Sequence, residues 1–344
     1  MTVAFVTNPD HAAHAVDGPV ERPERLDAAL DMLRDSGLLD RLFQLECPAP
    51  KSVVLPPLHT RRYLARLREV CAAGGGWFDP DTYCLPASCT VARSAVGACF
   101  AATDAVISGD ATSAFAAVRP PGHHARPQQA MGFCLLNNVA LAARYAQRQH
   151  DVGRVAIVDI DVHHGNGTQD AFYDDATVLY VSTHQYPFYP GTGRADELGA
   201  DDARGTNVNI PLPAGCGDAE YTDVFDQLVE PIVRRYAPEL LFVSLGFDAH
   251  YLDPLAMMSL SVDGYGALMS RLRALAEELC DGKLVVALEG GYDLDAIAWG
   301  VRRTIEVLLG DAPTPDPLGP ASDGRAPDIS GLISELRTLH DLSP

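Results

Sequence analysis

The sequence is short of positive charge: 26 Lys and Arg stand against 46 Asp and Glu, a formal charge of −20. Such a balance argues against a broad phosphate-neutralising surface, so direct nucleic-acid binding is not expected. An acidic field draws cationic partners instead. No run of about 18 apolar residues is present, and residues 1–10 place no basic region ahead of an apolar stretch, so neither a membrane span nor a secretory leader is expected. The eight cysteines (Cys47, Cys71, Cys84, Cys89, Cys99, Cys134, Cys216, Cys280) are scattered without a CxxC pair, which fits reduced thiols and a cytoplasmic setting. There is no internal repeat, and no linker or composition shift before Gly310.

What is present is core material. Hydrophobic residues make up 47% and charged residues 21%, the composition of a soluble globular protein. A length of 344 residues admits two domains, but the unbroken composition favours one, with its core at residues 3–310. Residues 311–328, rich in Pro, Asp and Gly, read as irregular, and a short helix is expected from about Ile329. Near-continuous apolar runs at 3–6, 113–118, 155–160, 178–182, 240–245 and 284–288 predict buried parallel strands. Amphipathic stretches at 23–36, 60–73, 88–108, 139–149, 219–236, 263–279 and 294–309 predict helices between them. The alternation predicts a doubly wound α/β layer sandwich.

In open parallel sheets, ligands bind beyond the carboxyl ends of the strands. The residues there are unusually polar: Arg119-Pro-Pro-Gly-His-His124, then Asp159 with Asp161-Val-His163, then Gly246-Phe-Asp248, then Glu289-Gly-Gly-Tyr292. A single His or Asp at a strand end is usually a cap or a loop hydrogen-bonder. Four strand ends offering such groups together indicate a site. Asp159, Asp161 and His163 alternate at spacing two, and a continued extended chain would project them to one side. With Asp248, Asp161 and His163 form an imidazole and two carboxylates, a three-ligand set that leaves positions open for water and substrate, as in catalytic zinc or iron(II) sites.

His123 and His124 are neighbours, so both reach one site only from an irregular loop, which Pro120, Pro121 and Gly122 supply. Paired imidazoles suit general acid–base work near neutrality. Tyr292 follows two glycines and offers an O–H donor to a developing oxyanion.

These motifs, with Met131-Gly-Phe-Cys134, Asn137-Asn138 and Asp159 to Gln169, resemble the histone deacetylase and acetylpolyamine amidohydrolase superfamily, from Glu21 to about Leu309. The resemblance implies an arginase-like three-layer fold around a mainly parallel eight-stranded sheet. It implies a zinc ion, or Fe2+, held by Asp161, His163 and Asp248 at the floor of a tube. Tyr292 would donate to the scissile carbonyl, His123 would be oriented by Asp159, and His124 would shuttle the proton. Asn166 stands where many relatives carry Asp, as in class II members, and a neutral amide stabilises imidazolium less than a carboxylate does. Phe133 and Tyr189 resemble the walls around an acyl-lysine stem, with Gly132 beside them. Asp81 matches a rim position, Leu255 an apolar gatekeeper, and Arg25 an arginine of an acetate-release channel. A structural K+ would use Asp159, Asp161, His163, Ser182 and Thr183.

The expected activity is hydrolysis of N-acetyl amides of lysine side chains in a protein or peptide, with an acetylated polyamine as the alternative substrate. A non-catalytic acyl-lysine-binding scaffold and a two-manganese ureohydrolase are the competing classes. The intact ligand set, both histidines and Tyr292 count against the scaffold, and the ureohydrolase would want further paired ligands.

Overall fold

The structure, a computed structural model, describes residues 2–49, 51–322 and 326–342. In chain order the strands are β1 (Val3–Thr7), β2 (Phe43–Gln44), β3 (Gly76–Trp77), β4 (Tyr83–Cys84), β5 (Ser113–Ala117), β6 (Val155–Asp159), β7 (Val178–Gln185), β8 (Asn207–Leu212), β9 (Leu240–Leu245) and β10 (Leu284–Leu288). The helices are α1 (Glu24–Asp35), α2 (Arg61–Ala72), α3 (Ser88–Ile107), α4 (Asn138–Gln149), α5 (Asn166–Phe172), α6 (Asp218–Val224), α7 (Glu230–Tyr236), α8 (Val262–Leu279), α9 (Leu294–Leu309) and α10 (Ser330–Leu339).

Eight strands form one sheet in the order β2-β1-β5-β10-β9-β6-β7-β8. Every neighbouring pair is parallel. β3 and β4 form a separate antiparallel hairpin. The central strands β1, β5, β6, β9 and β10 are mostly apolar because alternate side chains feed two different cores. Phe115, Val158, Val243 and Val286 face a core closed by α1, α8 and α9. Ala114, Ile157, Phe242 and Val285 face the other, closed by α3 and α4. Helix α3 is long and apolar enough to cross a bilayer, but most of it is buried inside the protein.

The structure adds strands β2, β3 and β4 and helix α5 to those that the sequence pattern predicts, and it departs from the pattern in three further places. Strand β6 stops at Asp159, so the alternation through His163 is not that of a strand. The stretch expected as one helix over 219–236 is α6 and α7 separated by a π-helical turn, Phe225–Val229. Pro231 has no N–H for the carbonyl of Gln227 four residues earlier, and Arg337 of α10 donates to that carbonyl instead, at 3.3 Å. Strand β8 carries Asn207, Asn209 and Pro211, which broke the apolar pattern. It is an edge strand, where proline is tolerated. Of the irregular segment 311–328, residues 323–325 lie outside the described residues; the described part holds no helix or strand.

Candidate active site

The carboxyl ends of β5, β10, β9 and β6 stand side by side and bring the four polar motifs to one rim. Beyond β6 the chain makes two successive aspartate turns: Asp161 N donates to Asp159 Oδ1 at 3.2 Å, and His163 N donates to Asp161 Oδ1 at 2.9 Å. A carboxylate bonding the backbone two residues on is the physical reason that Asp161 and His163 share a centre. Asp248, after β9, is tied to the same loop by Val162 N at 2.9 Å. His163 Nδ1 lies 3.2 Å from Asp161 Oδ1 and 3.1 Å from Asp248 Oδ2.

Asp161, His163 and Asp248 are all buried and offer ligand atoms within 4.8 Å of one another, the one such set among the described residues. The site calls for positive charge. Burial works against an imidazolium, yet hydrogen bonds and charge from Asp161 and Asp248 raise the pKa of His163 to about 10. Burial, and then the charge of Asp161, pushes Asp248 up. One nitrogen and two carboxylate oxygens around such a point match the donor set of a catalytic divalent site. Gly246 and Gly290 complete the cradle, since a Cβ on either would run into the two carboxylates.

The two histidines diverge. His123 Nδ1 meets Asp159 Oδ2 at 3.1 Å, and Tyr180 Oη donates to the same oxygen at 2.9 Å. Burial lowers the pKa of His123, but Asp161 and Asp159 outweigh it and bring it to about 10. His124 Nδ1 meets the neutral Asn166 Oδ1 at 2.8 Å. Burial, followed by the charges of His123 and His163, drives His124 well below 6.5 and keeps it neutral. Glu289 holds the loop from below, a role the sequence did not signal: its Oε2 accepts from Gly122 N at 2.6 Å and His123 N at 3.1 Å, and its Oε1 from Ser244 Oγ at 2.9 Å.

Tyr292 is held from two sides. Its N–H donates to Asp253 Oδ2 at 2.7 Å, and the guanidinium of Arg25 lies 4.7 Å from its ring centroid. Arg25 is buried and donates to the carbonyls of Gly291 at 2.5 Å and Glu289 at 2.6 Å. Below it, Glu21 takes Arg119 in a two-point pair, at 2.7 and 2.9 Å. Burial, against the pull of Arg25, raises the Tyr292 hydroxyl well above 10, so it remains a donor.

A cavity of about 310 Å³ descends to this floor, lined by Asp81, His124, Gly132, Phe133, His163, Phe188, Tyr189, Leu255 and Tyr292. Phe133 stands edge-on to Tyr292, with centroids 5.7 Å apart, and Tyr189 stands edge-on to His124 at 5.2 Å. Phe188 stacks on His163 at 5.6 Å, a wall that the sequence reading passed over. Gly132 has positive φ, and a Cβ there would strike the His124 ring. Asp81, at the rim, accepts from Thr82 Oγ1 at 3.0 Å; burial, then Asp79, raises its pKa to about 6. Ser182 is the register partner of Asp159 across β6 and β7, and Thr183 Oγ1 donates to Asp159 O at 3.5 Å.

Residues 19–308 match the family described as "Histone deacetylase domain". The chain belongs to the histone deacetylase family. Within this family it is 42% identical over 277 residues to a "Probable deacetylase" of Archaeoglobus fulgidus, covering 80% of this chain and 77% of that one. It is 40% identical over 341 residues to the "Histone deacetylase-like amidohydrolase" of Pseudomonas aeruginosa, covering 98% and 88%. It is also 40% identical to the human "Polyamine deacetylase HDAC10" over 97% of this chain, which spans 51% of that protein's length. The solved HDA15 HD domain superposes with a TM-score of 0.89 at 34% identity, over 99% of this chain and 96% of that one. The chain is thus a hydrolase-family protein of the deacetylase and amidohydrolase type.

Proposed function

We propose that this protein is a zinc-dependent deacetylase that hydrolyses N-acetyl amides of lysine side chains in proteins or peptides, yielding free amine and acetate. The observation that carries the reading is the convergence of Asp161, His163 and Asp248 at the floor of a 310 Å³ cavity with aromatic walls. Asp161, His163 and Asp248 would hold the ion; when bound, it polarises the carbonyl and makes water a nucleophile near neutrality.

Every other step belongs to the chain. The apolar walls Phe133, Phe188 and Tyr189 take a long methylene stem and exclude bulk water from the floor. His124 has its Nδ1–H engaged by Asn166, so Nε2 is a free lone pair that takes the proton of the attacking water and returns it to the leaving amine. His123, held as imidazolium by Asp159, contributes positive charge. Tyr292 donates to the oxyanion of the tetrahedral intermediate. A structural K+ would lie among Asp159, Asp161, His163, Ser182 and Thr183, which together offer backbone carbonyl, carboxylate and hydroxyl oxygens, hard donors suited to it.

Apolar Leu255 at the rim favours a lysine stem over a second cationic amine; similarity to a polyamine deacetylase favours the acetylated polyamine as the second reading. Measuring kcat/KM on an acetyl-lysine peptide and on N-acetylputrescine decides between them. A win for the polyamine by tenfold or more reverses the ranking, and binding without acetate release leaves only the scaffold.

A further inference from the structure

Three cysteines that are remote from one another in any local pattern meet below the rim. Cys71, in the last turn of α2, has its Sγ 2.7 Å from that of Cys89, in the first turn of α3, and 3.2 Å from that of Cys84 in β4. Both separations are shorter than the roughly 3.5–4.0 Å optimum for non-bonded atoms and longer than the ~2.05 Å of a disulfide. All three are free thiols; Cys71 and Cys84 are buried, whereas Cys89 is partly exposed. We propose that this trio is a reversible thiol–disulfide site, in which a peroxide joins Cys71 to Cys89.

The topology gives the bond a consequence. The segment from Cys71 to Cys89 contains the whole β3–β4 hairpin together with Asp79, Asp81 and Thr82. Asp81 lines the tube, and Thr82 Oγ1 accepts the N–H of the wall residue Phe133 at 3.1 Å. A Cys71–Cys89 bond therefore closes the rim hairpin into a covalent loop. Cys84 lies inside that loop against the shared sulfur, placed for exchange to a smaller ring that still encloses Asp81. Hydrogen bonds from Cys84 and Cys89 hold the Cys71 thiol below its usual pKa, which favours the attacking thiolate.

The chemistry balances with one peroxide. The Cys71 thiolate attacks the O–O bond of hydrogen peroxide, becoming a sulfenic acid as the departing hydroxide takes a proton and leaves as water; the Cys89 thiol then displaces the sulfenic oxygen, which takes the thiol proton and departs as a second water. Two sulfurs are each oxidised by one electron, and both peroxide oxygens are reduced.

The cross-link is independent of the function proposed above; its coupling to the tube rests on that reading. The test treats the full chain with hydrogen peroxide, alkylates remaining thiols under denaturing conditions and maps peptides without reductant. Two of the eight thiols should be lost, recovered with dithiothreitol, and found in one peptide joining Cys71 to Cys89. Cys71→Ala should retain all its thiols, while Cys47→Ala should behave as the parent. Eight reactive thiols after peroxide, or a bond that includes a cysteine other than Cys71, Cys84 and Cys89, overturns the site whether or not the Cys71 variant folds. For the coupling, the KM on an acetyl-lysine peptide should differ between oxidised and reduced protein; an unchanged KM overturns it.

Discussion

His124 Nδ1 and Asn166 Oδ1 lie 2.8 Å apart, and the Asn166 amide nitrogen is turned the other way, toward Met131 Sδ at 3.2 Å. The amide oxygen is thereby fixed as the acceptor, the Nδ1–H of His124 is fixed as the donor, and Nε2 faces the tube without a proton. A neutral partner does this while stabilising the imidazolium less than the Asp159 carboxylate does beside His123.

Replacing that amide by a carboxylate should move a titration. Asn166→Asp favours the charged form of His124, so its pKa rises, by about one unit or more for a buried neighbouring charge. The acid limb of kcat/KM against pH should move to higher pH by the same amount, while the metal content stays at that of the parent. An unmoved acid limb would mean that His124 is not the group whose proton limits the rate.

Tyr292→Phe removes one hydroxyl and keeps the ring between Phe133 and Arg25. Loss of a single oxyanion donor costs on the order of 10²–10³ in kcat. KM for an acetyl-lysine peptide and the thermal midpoint should change little, because the backbone bond to Asp253 remains. A fall in stability matching the fall in rate would assign Tyr292 to packing.

Much of this arrangement could be read from the chain, for identifiable reasons. Strand β10 is an uninterrupted apolar run and β9 is broken only by Ser244, because both are buried on both faces, so their ends, and with them Asp248 and Tyr292, were legible. Asp161 and His163 were legible as a pair, but for a different reason: the spacing of two belongs to aspartate turns, not to a strand. What stayed hidden depends on long-range contacts. Glu289 reaches Gly122 across 167 residues, Asp253 reaches Tyr292 across 39, and Cys71 meets Cys89 from a different helix. No periodicity encodes such meetings. Phe188 likewise becomes a wall only through its stack on His163, a contact made across 25 residues.

Gly290 separates metal binding from folding. A Cβ here meets Asp248 Oδ2 and Asp161 Oδ2, the latter also the acceptor of the Gly290 N–H at 2.8 Å, so the substitution displaces both carboxylates and opens the donor set. A ligand that binds only the folded state stabilises by about 2.7 kcal/mol at a hundredfold excess over Kd. Chelator-treated parent protein should therefore lose activity and melt lower, and both should return with zinc. Gly290→Ala should show a reduced zinc-induced rise in Tm; a rise equal to the parent's would remove these carboxylates as ligands.

Acid should destabilise the protein through histidines outside the centre, and His59 shows why. Its Nδ1 contacts Arg126 O and its Nε2 accepts from Asn137 N, both at 3.0 Å, so the folded state needs a neutral ring with an open Nε2. Burial, against the bond to Arg126, lowers its pKa to about 4. Above pH 6.5 the ring is neutral whether the chain is folded or not, and the residue adds no pH dependence. Between 6.5 and about 4 the unfolded chain binds a proton that the folded one refuses, so stability falls on acidification by up to about 1.4 kcal/mol per pH unit, and the loss levels off below. His14 and His184, also lowered to about 4 by burial, act in the same window. Urea unfolding at pH 7.5 and pH 5 should show the drop. His59→Gln, whose amide oxygen can replace Nε2 as acceptor for Asn137, should flatten it by one histidine's share; an unchanged slope would show that His59 titrates alike in both states.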